Sequence, residues 1–184
     1  MTNLREGAIV VSLVDALNTR GSFCGETHIQ KASYFLKQLV AVPMESSFTF
    51  YLYGPYSFEL HALLNELRAE DLLELESREM GATWRAGKRY GLLQERFAGN
   101  IQRFHDQISY VADKVANLNV FDLERYATAL WVSRTRQDLS REKRAELIHT
   151  LKPRIEIGSA RKALETVEVW EDEVRSRILL PMPA

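Results

Sequence analysis

Histidine and cysteine, the residues that most often bind metals or act as nucleophiles, are sparse and widely separated in this sequence. The four histidines, His28, His61, His105 and His149, show no His-x-x-x-His or His-Glu-x-x-His spacing. Cys24 is the only cysteine, so no intramolecular disulfide can form and a structural zinc site would lack its usual thiolates. It precedes a predicted helix, where a thiol can be activated, but a buried inert cysteine is the more common case. We therefore expect no metal ion and no cofactor.

Other catalytic patterns are equally absent from the sequence. There is no Gly-x-Ser-x-Gly motif, and the glycines at positions 81, 87 and 91 fit neither a phosphate-binding loop nor a dinucleotide fingerprint. The acidic residues are scattered, without an obvious catalytic pair. We expect a protein with no catalytic residues, that is, not an enzyme.

The motif Tyr53-Gly54-Pro55-Tyr56-Ser57 has two interpretations. Pro55 fixes a backbone angle and Ser57 can cap the following helix, whose free amides and positive dipole end could hold an anion. If this helix end holds a phosphate, the protein could be an enzyme that acts on a phosphorylated small molecule. The alternative is a structural turn, with both tyrosines packed on the preceding helix.

Polar residues outside the apolar stripe of the second predicted helix give a second candidate. Gln30 and Lys31 either contact a partner or a phosphate, or Gln30 bonds a nearby backbone group while Lys31 is solvated. Together with the turn motif they predict one protein-binding surface: His28, Gln30, Lys31, Tyr53, Gly54, Pro55, Tyr56 and Ser57.

A basic stretch with interleaved aromatics, Trp84 and Tyr90, favours an alternative function. A winged helix that binds nucleic acid could use such cations to follow a phosphate backbone, with strong salt dependence. The net charge of −1 provides no general attraction to nucleic acid, and a solvated hairpin face is the more usual explanation. The cations are Arg78, Arg85, Lys88, Arg89, Arg96 and Arg103, opposed in this count by Glu79 and Glu95; all but Arg103 are the candidate nucleic-acid contacts.

Apolar periodicity places these residues on a helical framework. In residues 1–95 it predicts two helices, a short strand, a third helix capped by Ser57, and a β-hairpin, which is the order of a winged helix. The predicted helices cover 6–19, 26–40 and a segment from 57, and the predicted strands cover 48–53, 71–75 and 84–93.

Residues 96–178 are predicted to be helical and to pack on the front half. Apolar residues at spacings of three and four predict one long helix over 94–118 and another over 122–136. Ser140 and Ser159 are predicted to cap the last two helices. The fold class is therefore mainly α (α+β), in a single domain over 1–184.

Three segments resemble the YwgA-like family of small bacterial proteins. Residues 25–36, GETHIQKASYFL, resemble its G-x-T-x-L-Q-K-x-x-Y-x-L segment, with Ile29 in place of the common leucine. YGPYSFEL, at 53–60, resembles its GPYS-x-E-L element, with Phe58 in place of a smaller or polar residue, and 151–154 resemble its L-K-P segment. The front half also resembles the Panacea, or SocA-like, domain, some of whose members are antitoxins that bind a toxin protein.

Composition is that of a globular protein in the cytoplasm. Hydrophobic residues make up 46% of 184 and charged residues 27%, and no apolar run approaches the roughly 20 residues of a membrane span. The expected function is a non-enzymatic, protein-binding regulatory module, antitoxin- or adaptor-like. Its expected partner is a protein: a toxin, a regulatory target or a second copy of this chain.

Overall fold

The computed structural model describes residues 3–79 and 81–177, and within these ranges the chain is mainly helical with two small antiparallel hairpins. The predicted boundary at residue 178 lies outside the described residues. The helices are α1 (Leu4–Thr19), α2 (Glu26–Gln38), α3 (Phe58–Ala69), α4 (Tyr90–Arg96), α5 (Ala98–Arg103), α6 (His105–Val115), α7 (Val120–Thr135), α8 (Arg141–Leu151) and α9 (Ile157–Ser176). The strands are β1 (Thr49–Tyr51), β2 (Gly54–Tyr56), β3 (Leu73–Arg78) and β4 (Gly81–Ala86).

Helix α1 is the centre of the front half. Residues 6–14 are all buried, because this stretch is apolar on nearly every side and is surrounded by α2 to α6 and β4. Glu6 is its one buried acid, and its carboxylate accepts the backbone amides of Glu45 and Ser46 at 3.0 and 3.2 Å. The segment after α2 is therefore tied to the central helix.

The front half has the predicted order of three helices followed by the β3–β4 hairpin. The strand predicted over 84–93 extends too far, because residues 90–93 belong to α4. Gly87 marks the change: a Cβ atom there would lie 2.2 Å from the Asp71 carbonyl oxygen, so only glycine fits. Its amide donates to the Leu72 carbonyl at 3.0 Å, directly after the last pair of the hairpin, Leu73 with Ala86.

The single long helix predicted over 94–118 is wrong. The chain forms three shorter helices, α4, α5 and α6, with non-helical backbone angles at Phe97 and Phe104. All three pack on α1, and the two bends allow them to wrap around it. Periodicity alone misses these breaks because the apolar spacing continues through both phenylalanines.

The back half packs on the front half through α7, which contacts α2 and β2 on one side and α8 and α9 on the other. Ser140 caps α8 as predicted, whereas α9 begins two residues before Ser159, after Glu156. Phe35 of α2 meets Trp170 of α9 edge-to-face, with ring centroids 5.6 Å apart, so both halves share apolar contacts. Across 3–79 and 81–177, every helix is too short or too polar to cross a bilayer.

Candidate functional site

The β1–β2 hairpin contacts α2 and α7 and carries four of the eight residues of the predicted surface. Thr49 pairs with Tyr56 and Tyr51 pairs with Gly54, so the turn falls on Leu52 and Tyr53, whereas the sequence predicts it at Gly54-Pro55. Gly54 has φ +84°, in the left-handed region that favours glycine. A Cβ atom there would lie 3.1 Å from Thr128 Oγ1, so this glycine also lets the hairpin approach α7 closely.

Two polar side chains of α2 hold the hairpin from beneath. The Gln30 side-chain amide donates to the Ser57 carbonyl at 3.0 Å and accepts from the Ser57 amide at 2.9 Å, as a neighbouring strand would. Lys31 Nζ donates to the Pro55 carbonyl at 2.8 Å. Both residues are 1% exposed, so their predicted contact with a partner is wrong. The alternative for Gln30, a backbone bond, is confirmed; Lys31 is buried and not solvated.

A buried carboxylate lies among three cations below the hairpin. Glu124 of α7 binds the Arg154 guanidinium through Nη2, and Lys152 Nζ lies 3.0 Å from its other oxygen without the alignment of a hydrogen bond. Lys152 also donates to the Leu52 carbonyl in the hairpin turn. Burial lowers the pKa of Lys31 to about 8, Glu124 opposes this change, and the positive charge of Lys152 adds to it.

His28 and Ser57 are also structural. His28 is buried, its Nε2 lies 2.9 Å from the Leu118 carbonyl, and burial lowers its pKa. Ser57 caps α3 as predicted: its hydroxyl accepts the Leu60 amide at 3.1 Å and donates to Glu59. Because Ser57 is fully buried and a carboxylate lies beside it, the start of α3 is not an open site for a phosphate.

The outer side of the hairpin exposes large apolar side chains. Tyr51, Tyr56 and Phe58 form one ring cluster, with Phe58 centroids 5.5 and 5.1 Å from those of the two tyrosines. We define the hairpin surface as Arg154 together with six exposed apolar residues, three in the β1–β2 hairpin and three in the helices beside it. These residues are Tyr51 (48% exposed), Leu52 (67%), Tyr53 (58%), Phe58 (55%), Phe121 (68%) and Leu151 (40%).

Arg154 joins the hairpin to the back half. Its guanidinium lies 5.6 Å from the Tyr53 ring centroid and 5.5 Å from that of Phe121, so the cation has an aromatic ring from each half of the chain. No sequence pattern indicates a role for Phe121, Glu124, Lys152 or Arg154. Residues 151–154 match a segment of the family resemblance, and no spacing rule places them beside residues 52–55.

The cations of the basic stretch are mostly paired with acids. Glu76 lies 2.7 Å from Arg85 and 3.0 Å from Arg78, across and along the β3–β4 hairpin. Lys88 and Arg89 lie near Glu74 and Glu70, at 4.0 and 3.6 Å. These three glutamates precede Arg78 in the chain, so the charges within the stretch itself do not include them. The paired cations favour a solvated hairpin face over a phosphate-binding surface.

The remaining members of the basic stretch do not extend that hairpin. Arg96 and Arg103 lie on α4 and α5, where their guanidinium groups lie 5.6 and 5.5 Å from the ring centroids of Phe97 and Phe104. Trp84, predicted as an interleaved aromatic, is 4% exposed and packs in the core. The stretch therefore does not present the expected alternation of free cations and accessible aromatics.

Metal and thiol chemistry find no support in the part of the chain that the structure describes. Within 3–79 and 81–177, no three histidine, cysteine, aspartate or glutamate side chains come close enough to hold a metal ion. Cys24 is buried, and burial raises the pKa of its thiol to about 12, so thiolate formation is strongly disfavoured.

Comparison with known proteins adds no functional assignment. No protein-family model matches the sequence, and a search of curated proteins finds no significant match. The mainly helical α+β fold and the geometry of the hairpin surface are therefore the basis for assigning a function.

Proposed function

We propose that this protein is a non-enzymatic, protein-binding regulatory module that contacts its partner through the hairpin surface. The observation that carries the proposal is the group of exposed aromatic rings around Arg154. Tyrosine and arginine are enriched among the residues that dominate protein–protein binding energy, and exposed apolar groups of this kind mark interaction sites.

The support beneath the surface favours binding by a preformed structure. Lys31 bonds the backbone of the second strand, Gln30 bonds the backbone of Ser57 directly after it, and Lys152 bonds the turn. A surface ordered before it meets its partner loses less conformational freedom on binding. The buried polar residues of the predicted site therefore position the contact residues without touching the partner.

The resemblance to toxin-binding Panacea domains makes an antitoxin- or adaptor-like role the concrete form of this proposal. We place the protein in the cytoplasm, in keeping with its single cysteine, which precludes an intramolecular disulfide. A second copy of the chain is the competing occupant of the hairpin surface.

Site-specific photo-crosslinking in the cells that naturally make the protein tests the proposal. A photoreactive amino acid replaces Leu52 or Phe121 in the hairpin surface, or Leu92 or Val169, which are exposed at 52% and 54% elsewhere. Crosslinks to a discrete protein are expected from the first two positions only. Equal crosslinking from all four positions, or none from the hairpin surface, would contradict the proposal.

A matched pair of variants then tests the surface against the identified partner. Tyr53→Ser with Phe121→Ser is expected to abolish partner binding without changing the unfolding midpoint, whereas Leu92→Ser with Val169→Ser retains binding. Lys31→Ala is unsuitable for this purpose, since removal of a buried group that holds the hairpin also alters stability. Full binding by the first pair would rule out the surface.

A further inference from the structure

One pocket of the hairpin surface combines apolar walls with two cations. It has a volume of about 390 Å³ and lies between the hairpin turn and the loop that joins α8 to α9. Its lining residues are Leu52, Tyr53, Leu151, Lys152, Pro153 and Arg154. No carboxylate lines this pocket, so its charged groups are all positive.

The positive charge at this pocket is only partly balanced from beneath. Glu124 is the carboxylate that contacts both Lys152 and Arg154, and the positive charge of Lys31 also interacts with it. One negative charge thus serves three cations. Glu156 lines a separate pocket of about 190 Å³, to which Glu124 and Arg154 also contribute.

Arg154 keeps hydrogen-bonding capacity for an additional acceptor. A guanidinium group has five N–H donors, and the bond to Glu124 uses Nη2. The side chain is 46% exposed between the Tyr53 and Phe121 rings, which fix its orientation. An oriented guanidinium is suited to bind a carboxylate with two hydrogen bonds.

We propose that this pocket recognises an acidic residue, aspartate or glutamate, within a partner segment, with an apolar residue next to it in the apolar part of the pocket. The inference rests on the proposed function and specifies the chemistry of the partner. Charge complementarity selects the acidic residue. Exposed rings lie next to residues of the pocket: Phe121 contacts Arg154, and Tyr51, which contacts Phe58, precedes Leu52. A segment that extends beyond the pocket can therefore gain contacts that a chain end would not.

An array of immobilised decapeptides, blocked at both ends and probed with the full chain, tests this inference. Each peptide has leucine or phenylalanine at a fixed position, with glutamate, glutamine or lysine beside it and varied flanks. Glutamate peptides are expected to retain the protein about tenfold better than glutamine peptides, and lysine peptides least of all. A further set with a free C-terminal carboxylate and no acidic side chain is expected to bind weakly.

Variants of the full chain assign the preference to the pocket. Arg154→Gln is expected to remove the preference for glutamate over glutamine, and Arg136→Gln, which changes a guanidinium paired with Asp138, is expected to keep it. Because Arg154→Gln also breaks the bond to Glu124, its folding is checked by circular dichroism. Leu52→Ser with Leu151→Ser tests the apolar part without removing a charge, and should weaken all peptides equally.

Several results would overturn the acidic-segment inference. They are equal retention of glutamate and glutamine peptides, a preference for lysine peptides or for free C-termini, no retention of any peptide, or an unchanged glutamate preference in folded Arg154→Gln. The crosslinking experiment is independent of charge, so crosslinks from Leu52 and Phe121 alongside such a result would leave the proposed function standing.

Discussion

The two antiparallel hairpins both pack on helices but expose different kinds of side chain. The β3–β4 hairpin packs through apolar side chains, Leu73 and Trp84, and exposes paired charges such as Glu76 with Arg85. The β1–β2 hairpin is held by polar groups, among them Lys31, and exposes aromatic rings. The first arrangement is the usual one for a solvated surface. The second leaves large apolar groups exposed, which supports the proposal that a partner covers them.

This contrast shows that the number of cations in a segment is a poor guide to how those cations are paired in the fold. In the stretch richest in cations, Arg78, Arg85 and Lys88 are paired with glutamates from the same hairpin. The less conspicuous Lys152 and Arg154 share one buried carboxylate and lie beside exposed rings. Pairing in three dimensions, and not the number of cations in a segment, distinguishes the two surfaces.

The largest expected effect is from Glu124→Gln, which removes the buried negative charge below the β1–β2 hairpin. Loss of one partner from a buried ion pair destabilises a protein by about 3 to 5 kcal/mol, because the remaining charges are uncompensated. Urea unfolding followed by circular dichroism measures the change. Glu76→Gln in the exposed pairs of the other hairpin is the matched control and should have no measurable effect. An equal loss of unfolding free energy in the two variants would show that the carboxylates below and on the two hairpins contribute equally to stability.

A smaller loss is expected from Gly54→Ala. The positive φ and the 3.1 Å approach to Thr128 Oγ1 make alanine unfavourable there, at a cost of about 1 to 3 kcal/mol. Gly91→Ala is the control: nothing lies within 4 Å of a Cβ atom at that helical position, and alanine should stabilise α4 slightly. An unfolding midpoint unchanged in Gly54→Ala would show that the hairpin does not depend on close packing against α7.

The pH dependence of stability isolates Lys31. Its pKa is about 8 in the folded protein and near the ordinary 10.5 when unfolded, so the unfolded chain binds more protons between these values. The Lys31 contribution to stability therefore increases as pH rises through this window. The free energy of unfolding of the wild type should increase relative to that of Lys31→Met by about 2 kcal/mol between about pH 7.5 and 9.5. A constant difference would mean that the pKa of Lys31 is not lowered in the folded protein.

The smallest effect is expected from reversing the charge of the β3–β4 hairpin. The wild type should show no retardation of a duplex DNA in a gel-shift assay at about 50 mM salt, and Arg85→Glu with Lys88→Glu and Arg89→Glu should behave identically. Partner binding by this triple variant should also be unchanged. Salt-sensitive duplex binding that the variant loses would restore the nucleic-acid alternative.

Local patterns in the sequence predict much of the fold. The apolar stripes of α1 and α2, and the caps Ser57 and Ser140, involve residues within a few positions of one another, where spacing rules apply. The breaks at Phe97 and Phe104 depend on the shape of α1, around which the chain must bend, and no local pattern contains that information.

The site is less predictable because its parts are distant in the chain. The motif at 53–57 contains the second strand of the β1–β2 hairpin, which the sequence does not predict: it predicts one strand over 48–53 followed by a turn. Alternation alone also cannot show which side of a strand faces the core. A lysine outside the apolar stripe is expected at the surface. Lys31 is buried instead, and its ammonium group donates to the Pro55 carbonyl, 24 positions away. Lys152 donates to a carbonyl 100 positions away, a separation that periodicity does not address.

The buried carboxylate has a consequence for any attempt to shorten the protein. Glu124 and Thr128 belong to α7, whereas Lys31 and the β1–β2 hairpin belong to the front half. A fragment that ends at residue 95 would retain Lys31 without Glu124, and Gly54 without the helix against which it packs. The winged-helix order of the N-terminal half thus does not define a piece that can be excised.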